Sequence, residues 1–225
     1  MRPQDLTKVN KARSLVKEII FDPLKDSGVY FWVVGGTITD CMLEKERRDV
    51  DLYFRNMSDS ERMSNFCINC ESLPCYPNRP LAFNGYNCHN RQFLSPSMDT
   101  WEFWTYPNID DLTPEQCISY FDFTVSACAI DSNLDFYYCE SFFDDLESRT
   151  LNYTGNHYHL AWGEYHSCIK RLQRYQDKGY KLPDFNFWLK CNYDRRDMVI
   201  REEPWKPVIT TELNILVDRY DNDDQ

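Results

Sequence analysis

The stretch from residue 31 to residue 54 constrains the fold of this chain more than any other. It reads FWVVGGTITDCMLEKERRDVDLYF. It begins inside a continuous β-rich apolar run, VYFWVV at 29–34, which predicts a buried strand. Adjacent glycines, Gly35 and Gly36, end that strand, TITDCMLE predicts a short helix, and DVDLYF at 49–54 predicts a second strand.

Two acids stand in the second predicted strand, one residue apart. Because residues i and i+2 of a strand point the same way, Asp49 and Asp51 project from one face. Two carboxylates side by side repel each other unless a cation lies between them. Carboxylates are ligands that hard cations prefer, so the pair predicts Mg²⁺ or Mn²⁺. The alternative is an exposed acid pair on an edge strand, neutralised by Arg47 and Arg48.

The glycines upstream of this pair predict an anion site. A strand that ends in Gly35-Gly36 and runs into a helix places backbone N–H groups where a phosphate can bind. Glycine also allows a ligand to approach the backbone closely. Tight turns use adjacent glycines as well, but the combination with Asp49 and Asp51 predicts a phosphate site beside a metal pair.

A third carboxylate would complete a two-metal site, and two residues are candidates. Glu102 lies in TWEFW, within a strand predicted over 100–106. Asp122 lies in YFDFTVSA, within a strand predicted over 121–130. Each can also be an ordinary acid at the end or edge of a strand, and the choice between them stays open.

The whole chain predicts an α+β fold, with a strand-rich part followed by a helical part. We expect a mixed central β-sheet flanked by helices over residues 1–150, and a C-terminal helical segment over 151–225. The further predicted elements are a helix over 6–20, a helix with a capping box at Ser58 and Glu61, a helix at 113–120, a hairpin of 121–130 with 134–140, a long helix over 159–180 and a frayed acidic end, DRYDNDDQ.

Composition disfavours several classes of protein. The formal net charge of −11 argues against extended nucleic-acid binding, because phosphate backbones attract Lys and Arg. No apolar run approaches the roughly 20 residues of a membrane span, and the first 20 residues are charged and amphipathic, unlike a signal peptide. We therefore expect a soluble cytoplasmic protein with no membrane partner and with reduced cysteines.

Two clusters could bind a different metal. Cys67, Cys70 and Cys75, with Cys88 or His89, suggest a zinc site. Cys67 and Cys70 equally fit the apolar face of the capped helix, as thiols of the core. The H-Y-H at 157–159 could chelate a metal, although such a pair at a helix start is usually structural.

These residues resemble the head of the DNA polymerase beta-like nucleotidyltransferase superfamily, above all its class II CCA-adding and poly(A) polymerase branch. That branch reads roughly G-G-x-x-R-D-x-L-L-G, then D-h-D, and later R-R-D-F-T-I-N-A. The matching residues here are Gly35, Gly36, Asp40, Leu43, Asp49 and Asp51, followed by DFTVSA from Asp122. Residues 151–183 look like the tail of stand-alone phage and bacterial nucleotidyltransferases, so the resemblance spans about residues 30–182.

The chain also departs from that branch. Thr39 stands where the branch has an arginine, and Tyr120 and Phe121 replace its paired arginines. Those arginines are implicated in nucleotide contacts, so CCA-type nucleotide selection is not carried over.

The resemblance implies two-metal transfer of a nucleotide from a nucleoside triphosphate to an acceptor hydroxyl. Asp49 and Asp51 are the implied metal ligands, with Glu102 as a third, and Asp122 is a further catalytic candidate. The implied nucleotide-binding residues are Gly35, Gly36, Thr37, Asp40, Lys170, Arg171 and Arg174, of which the last three can also be a solvated basic face.

The acceptor stays open between a small molecule, a protein side chain and an RNA end. Two alternatives to this enzyme remain. One is a catalytically inactive member of the superfamily that serves as a binding or structural protein. The other is a toxin-like transferase that acts on protein or tRNA.

Overall fold

The computed structural model describes residues 1–45, 49–70, 76–78, 91–95, 100–105, 109–156, 164–186, 188–189 and 212–220. The helices are α1 Pro3–Val16, α2 Asp22–Leu24, α3 Gly36–Met42, α4 Met57–Asn69, α5 Pro114–Ser119, α6 Phe142–Ser148 and α7 Glu164–Asp177. The strands are β1 Phe31–Val34, β2 Asp49–Phe54, β3 Tyr76–Asn78, β4 Arg91–Leu94, β5 Thr100–Trp104, β6 Cys128–Asp131, β7 Phe136–Cys139 and β8 Ile215–Asp218. A π-helical turn, Lys17–Phe21, follows α1 directly.

The described strands form one mixed sheet, in the order β3-β4-β5-β2-β1-β6-β7-β8. β2 and β5 are parallel, whereas β1 is antiparallel to both β2 and β6, and β4 is antiparallel to β3 and β5. Parallel neighbours need a long crossover, which here runs through α4, β3 and β4. The predicted α+β fold, a mixed sheet flanked by helices, is confirmed.

A row of phenylalanines packs one face of this sheet against helical residues. The row begins at Phe21 of the π-helical turn and crosses β1, β2, β5 and β4. Its successive ring centroids lie 5.2, 6.1, 5.2 and 4.8 Å apart, in the order Phe21, Phe31, Phe54, Phe103 and Phe93. Burial of each such side chain contributes about 1.5–3 kcal/mol. Alternation along the strands leaves the opposite face to other side chains.

The chain divides into two compact units. The first comprises Met1–Pro114, Cys128–Tyr137 and Val217–Gln225, and the second comprises Glu115–Ala127 and Tyr138–Leu216. The division into a head over 1–150 and a helical segment over 151–225 stays a prediction. None of the described helices is long and apolar enough to cross a membrane.

Several predicted elements match the structure closely. The strand predicted over 49–54 coincides with β2, and β5 lies inside the strand predicted over 100–106. The helix predicted over 6–20 covers most of α1 and the π-helical turn. The helix predicted over 159–180 contains α7, and Gly179 follows it with φ +88°.

The capping box predicted for α4 is wrong. Asn56 is the N-cap, and its side chain accepts a hydrogen bond from the backbone N–H of Asp59 at 3.0 Å. Asn caps a helix at least as well as Ser, so α4 begins at Met57, one residue before the predicted cap at Ser58.

The continuous strand predicted over 121–130 is also wrong. A 3₁₀ turn, Thr124–Ser126, interrupts it, and only Cys128 onward is strand. Local side-chain hydrogen bonds compete with strand formation here. Ser126 Oγ donates to the Phe123 carbonyl at 2.9 Å, and Thr124 Oγ1 donates to Asp145 Oδ2 at 2.7 Å.

The prediction of a frayed, solvated end over residues 218–225 is wrong for Asp218 and for Tyr220, whose N–H donates to Asp135 Oδ1 at 2.9 Å. Asp218 is the last residue of β8, a strand that the sequence analysis missed. The buried Arg13 guanidinium donates through Nη2 to the Asp218 carbonyl at 2.7 Å, and its Nη1 lies 2.9 Å from Asp218 Oδ2. A buried cation therefore attaches this segment to α1. Residues 221–225 lie outside the described residues.

Candidate active site

The predicted acids lie on the face of β2 and β5 opposite the phenylalanine row. Asp49 is in register with Thr100, and Asp51 with Glu102. Asp49 is exposed, whereas Asp51 and Glu102 are half-buried. The intervening Val50 points to the other face and is fully buried. Alternation along the strand thus places a hydrophobic residue in the core and the acids on one surface.

Trp104 contacts Asp51 directly. Its indole Nε1 donates a hydrogen bond to Asp51 Oδ1 at 2.9 Å. The ring of Trp104 also stacks on Tyr53, with centroids 6.3 Å apart and planes inclined by 16°. Sequence analysis missed this residue, although its spacing of two from Glu102 already placed it on the acidic face.

The glycine turn after β1 begins with a residue at positive φ. Gly35 has φ +64°, a left-handed conformation that favours glycine. Its N–H donates to the Cys128 carbonyl at 2.9 Å, and its carbonyl accepts from the Ile38 N–H at 3.1 Å. Within the described part of the chain, the N–H groups of Gly36 and Thr37 have no acceptor. These two amides are therefore available to an anion.

A side-chain bond joins this turn to the acid-bearing strand. Thr37 Oγ1 donates to the Asp49 carbonyl at 3.0 Å. Because Val33 pairs with Leu52, the chain after β1 reaches the turn at the end of β2 that carries the acids. The two parts of the predicted phosphate and metal site therefore lie at one end of the β1–β2 pair.

Two further positions of the first motif lie inside α3. Thr39 is 4 % exposed, and its hydroxyl donates to the Gly36 carbonyl at 3.0 Å. Asp40 is 8 % exposed. The Thr39 hydroxyl therefore makes its hydrogen bond within its own helix.

Asp122 and the predicted basic residues belong to the second compact unit. Arg171 Nε lies 3.0 Å from Asp122 Oδ2, and Asp122 is 6 % exposed. The Asp122 carbonyl accepts from the Thr154 N–H at 2.9 Å. Lys170 and Arg174 are exposed on α7. The structure therefore pairs Asp122 with Arg171 and brings Glu102 into register with Asp51.

The three acids of the first unit fit a divalent cation in chemistry and in register. Asp49, Asp51 and Glu102 offer the hard oxygen ligands that Mg²⁺ prefers, all on one face. No three His, Cys, Asp or Glu side chains in the described ranges are already gathered as a metal cluster. The three acids therefore have the ligand chemistry that suits a divalent cation, but their side chains are not already arranged around a metal position.

The zinc prediction is only partly covered by the structure. Cys67 is 1 % exposed on the buried side of α4, and Cys70 is half-buried at its end. The other residues named for metal binding or charge neutralisation lie outside the described residues: Cys75, Cys88, His89, the 157–159 segment, Arg47 and Arg48.

Comparison with known families decides the membership of the chain. The profile of the Gabija anti-defense 2 (Gad2) family matches residues 7–149. The chain belongs to the Gabija anti-defense 2 family. The matched range contains the glycine turn, both aspartates of β2, Glu102 and Asp122. No curated protein matches this family member.

The fold of this family member is similar to those of solved CCA-adding enzymes. Thermotoga maritima CCA-adding enzyme complexed with tRNA matches with a TM-score of 0.52 and 17 % identity, over 88 % of this chain and 43 % of that chain. A CCA-adding enzyme in its apo form I gives a TM-score of 0.54 and 16 % identity, over 84 % and 45 %. A tRNA-processing enzyme with CTP gives 0.51 and 18 %, over 82 % and 48 %.

The chain thus spans less than half the length of these three solved proteins. At this level of identity the likeness establishes the fold, which is that of the nucleotidyltransferase head. The resemblance on which the sequence analysis drew is therefore confirmed at the level of the fold.

Proposed function

We propose that this Gabija anti-defense 2 family member is a Mg²⁺-dependent nucleotidyltransferase. It transfers a nucleotide from a nucleoside triphosphate to an acceptor hydroxyl, and the family name points to an anti-defence role for that transfer. The observation that carries the proposal is the strand register that sets Asp51 opposite Glu102. Asp49 precedes Asp51 on the same face, and Thr37 ties the glycine turn to the Asp49 backbone.

In the proposed reaction the acceptor oxygen attacks the α-phosphorus of the triphosphate. A new oxygen–phosphorus bond forms, the bond to the bridging oxygen of the β-phosphate breaks, pyrophosphate leaves, and the acceptor proton passes to solvent. Asp49, Asp51 and Glu102 would hold Mg²⁺ or Mn²⁺. Such a metal, when bound, neutralises phosphate charge and lowers the pKa of an acceptor hydroxyl.

The residues around the acids have separate roles in this proposal. The Gly36 and Thr37 amides donate hydrogen bonds to phosphate oxygens, since successive backbone N–H groups form anion-binding concavities. Gly35 supplies the left-handed conformation that aims them. Asp40 and the exposed Lys170 and Arg174 stay candidates for nucleotide contacts. Arg171, which pairs with Asp122, stays a candidate as well.

A catalytically inactive binding protein is the second candidate function. Two observations favour it. The described residues contain no preassembled metal cluster, and the buried Asp122 is engaged by Arg171. Such a protein would bind a nucleoside triphosphate, or a partner that presents phosphate, without transferring anything.

Incubation with labelled nucleotides tests the proposal. The purified protein is mixed with each of the four α-³²P-labelled triphosphates, Mg²⁺ or Mn²⁺ and a bacterial extract, and the label is followed into protein, RNA and small-molecule fractions. An α-label reports nucleotide transfer, whereas a γ-label reports phosphate transfer. We expect α-label to enter one fraction, and that fraction identifies the acceptor class. Label in protein or in tRNA would support the toxin-like alternative.

Two variants control this experiment. The doubly substituted Asp49→Asn, Asp51→Asn protein is expected to lose transfer while it keeps the far-ultraviolet circular dichroism of the parent. Asp26→Asn removes one exposed acid from the same compact unit and is expected to transfer as the parent does. If no fraction takes up label while a triphosphate with Mg²⁺ still raises the melting temperature, the inactive binding protein is the better description.

A further inference from the structure

We propose that Trp104 is a positioning residue that orients the Asp51 carboxylate for metal binding. The inference rests on the proposed function. It begins from the hydrogen bond of 2.9 Å from the Trp104 indole Nε1 to Asp51 Oδ1. An ionised carboxylate has about four lone-pair sites, so a hydrogen bond from an N–H donor to Oδ1 is compatible with coordination of a cation by the same carboxylate.

The hydrogen bond favours one orientation of the Asp51 carboxylate. A carboxylate that turns about its Cβ–Cγ bond must be immobilised when a metal binds, which costs conformational entropy. A donor already aimed at one oxygen removes part of that cost. Partners of this kind orient metal ligands in many proteins, and their removal typically lowers metal affinity about 10- to 100-fold.

The tryptophan is itself held firmly enough to act in this way. Its backbone belongs to β5, two residues beyond Glu102, and is paired with Tyr53 of β2. Its ring is stacked on Tyr53, with centroids 6.3 Å apart and planes at 16°. Tyr53 in turn lies two residues beyond Asp51 on the same face. The positioning residue and the ligand are thus supported by the same pair of strands.

The hydrogen bond is not a general property of the tryptophans in this protein. Trp32 and Trp101 are fully buried, and in the described part of the chain their indole nitrogens have no hydrogen-bond partner. Ring packing alone therefore accounts for Trp32 and Trp101. Trp104 differs because its N–H meets a carboxylate on the acidic face.

The test compares Mn²⁺ affinity, measured by isothermal titration calorimetry without nucleotide, between the parent and four variants of the full chain, one of which is Asp51→Asn. Trp104→Phe removes the donor. Replacement of Trp104 by β-(3-benzothienyl)alanine puts sulfur in place of the N–H and keeps the bicyclic ring, so it removes the donor with little change in packing. Trp101→Phe is the matched control, because it alters an indole on the same strand that faces the core.

We expect both substitutions at Trp104 to weaken Mn²⁺ binding by at least about tenfold. Trp101→Phe is expected to lower the melting temperature and to leave Mn²⁺ affinity within about twofold of the parent. A purely structural role for Trp104 predicts the opposite pattern, in which Mn²⁺ affinity follows stability across the variants.

The outcomes separate this inference from the proposed function. If the parent binds Mn²⁺, Asp51→Asn abolishes binding and the benzothienyl form binds as tightly as the parent, the role of Trp104 is overturned and the metal site stands. If the parent itself binds no Mn²⁺, the metal-dependent function and the inference both fail. Should Trp104→Phe not fold, the benzothienyl form alone decides.

Discussion

Asp51 on β2 lies directly opposite Glu102 on the parallel neighbour β5. Adjacent strands are about 4.8 Å apart, so the two carboxylates share one face at a distance where like charges repel. A divalent cation between them would turn this repulsion into binding. The register therefore favours Glu102 over Asp122 as the third carboxylate of the proposed site.

Substitution of these two acids distinguishes their roles. We expect Glu102→Gln to lower nucleotide transfer at least about 100-fold and to abolish the rise in melting temperature caused by Mg²⁺, because it removes a proposed metal ligand. Asp122→Asn is expected to lower the free energy of unfolding by about 2 kcal/mol, because it leaves Arg171 without its buried counter-charge. The α-label assay measures transfer, thermal melts with and without Mg²⁺ measure the melting temperatures, and urea titrations measure the free energy of unfolding. An exchange of the two patterns would contradict the assignment.

The two glycines of the turn should respond differently to alanine. Gly35→Ala is expected to destabilise the fold by about 1–2 kcal/mol, because φ +64° is strained for a residue with a Cβ. Gly36→Ala should leave stability unchanged or slightly raised, since a Cβ there meets no atom within 4 Å.

The same Gly36→Ala variant tests the phosphate site. A methyl group at the two available amides should weaken triphosphate binding, measured by calorimetry, at least about tenfold if phosphate approaches the backbone there. Unchanged triphosphate affinity in a fully folded Gly36→Ala protein would place the phosphate elsewhere.

The buried Arg13 should be among the costly side chains to remove. Arg13 is 3 % exposed, and its Nε donates to the Leu134 carbonyl at 2.7 Å. We expect Arg13→Ala to lower the free energy of unfolding by about 3–5 kcal/mol, because it leaves Asp218 and a buried carbonyl without their donor. Lys11→Ala is the control, since it breaks only an exposed pair with Glu44 and should leave the free energy of unfolding close to that of the parent. Similar losses in the two urea titrations would show that Arg13 is less important than its contacts indicate.

Stability should fall at alkaline pH through Cys139. Burial raises the pKa of this thiol from 9.0 to about 11. Above pH 9 the unfolded chain loses the thiol proton and the folded chain keeps it, so the contribution is fully present below pH 9 and is lost by about pH 11. The loss amounts to about 2–3 kcal/mol. Urea titrations between pH 8 and 11 measure it, and in Cys139→Ala the decline should be shallower than in the parent by this amount. Parallel profiles for the two proteins would contradict the assignment.

Local patterns were sufficient for the strands that carry the acids. Asp49 and Asp51 alternate with valine and leucine, and this period of two both predicts β2 and places the acids on one face. Alternation and β-propensity failed at residues 121–130. The composition there is β-rich, but hydrogen bonds from hydroxyl groups form a 3₁₀ turn instead. The sequence analysis also missed β8. This strand has only four residues, and it depends on contacts with Arg13, which is far away in the chain.

By itself, the sequence determined the α+β class, the position of the glycine turn and the common face of Asp49 and Asp51. Each of these depends on neighbours within a few residues, so backbone geometry and hydrophobic periodicity are enough to infer them. Only the tertiary structure decided that Glu102 stands opposite Asp51, that Trp104 donates to that carboxylate and that Asp122 pairs with Arg171. Those relationships join residues that are about 50 positions apart, and strand register and helix packing, which no local pattern encodes, bring them together.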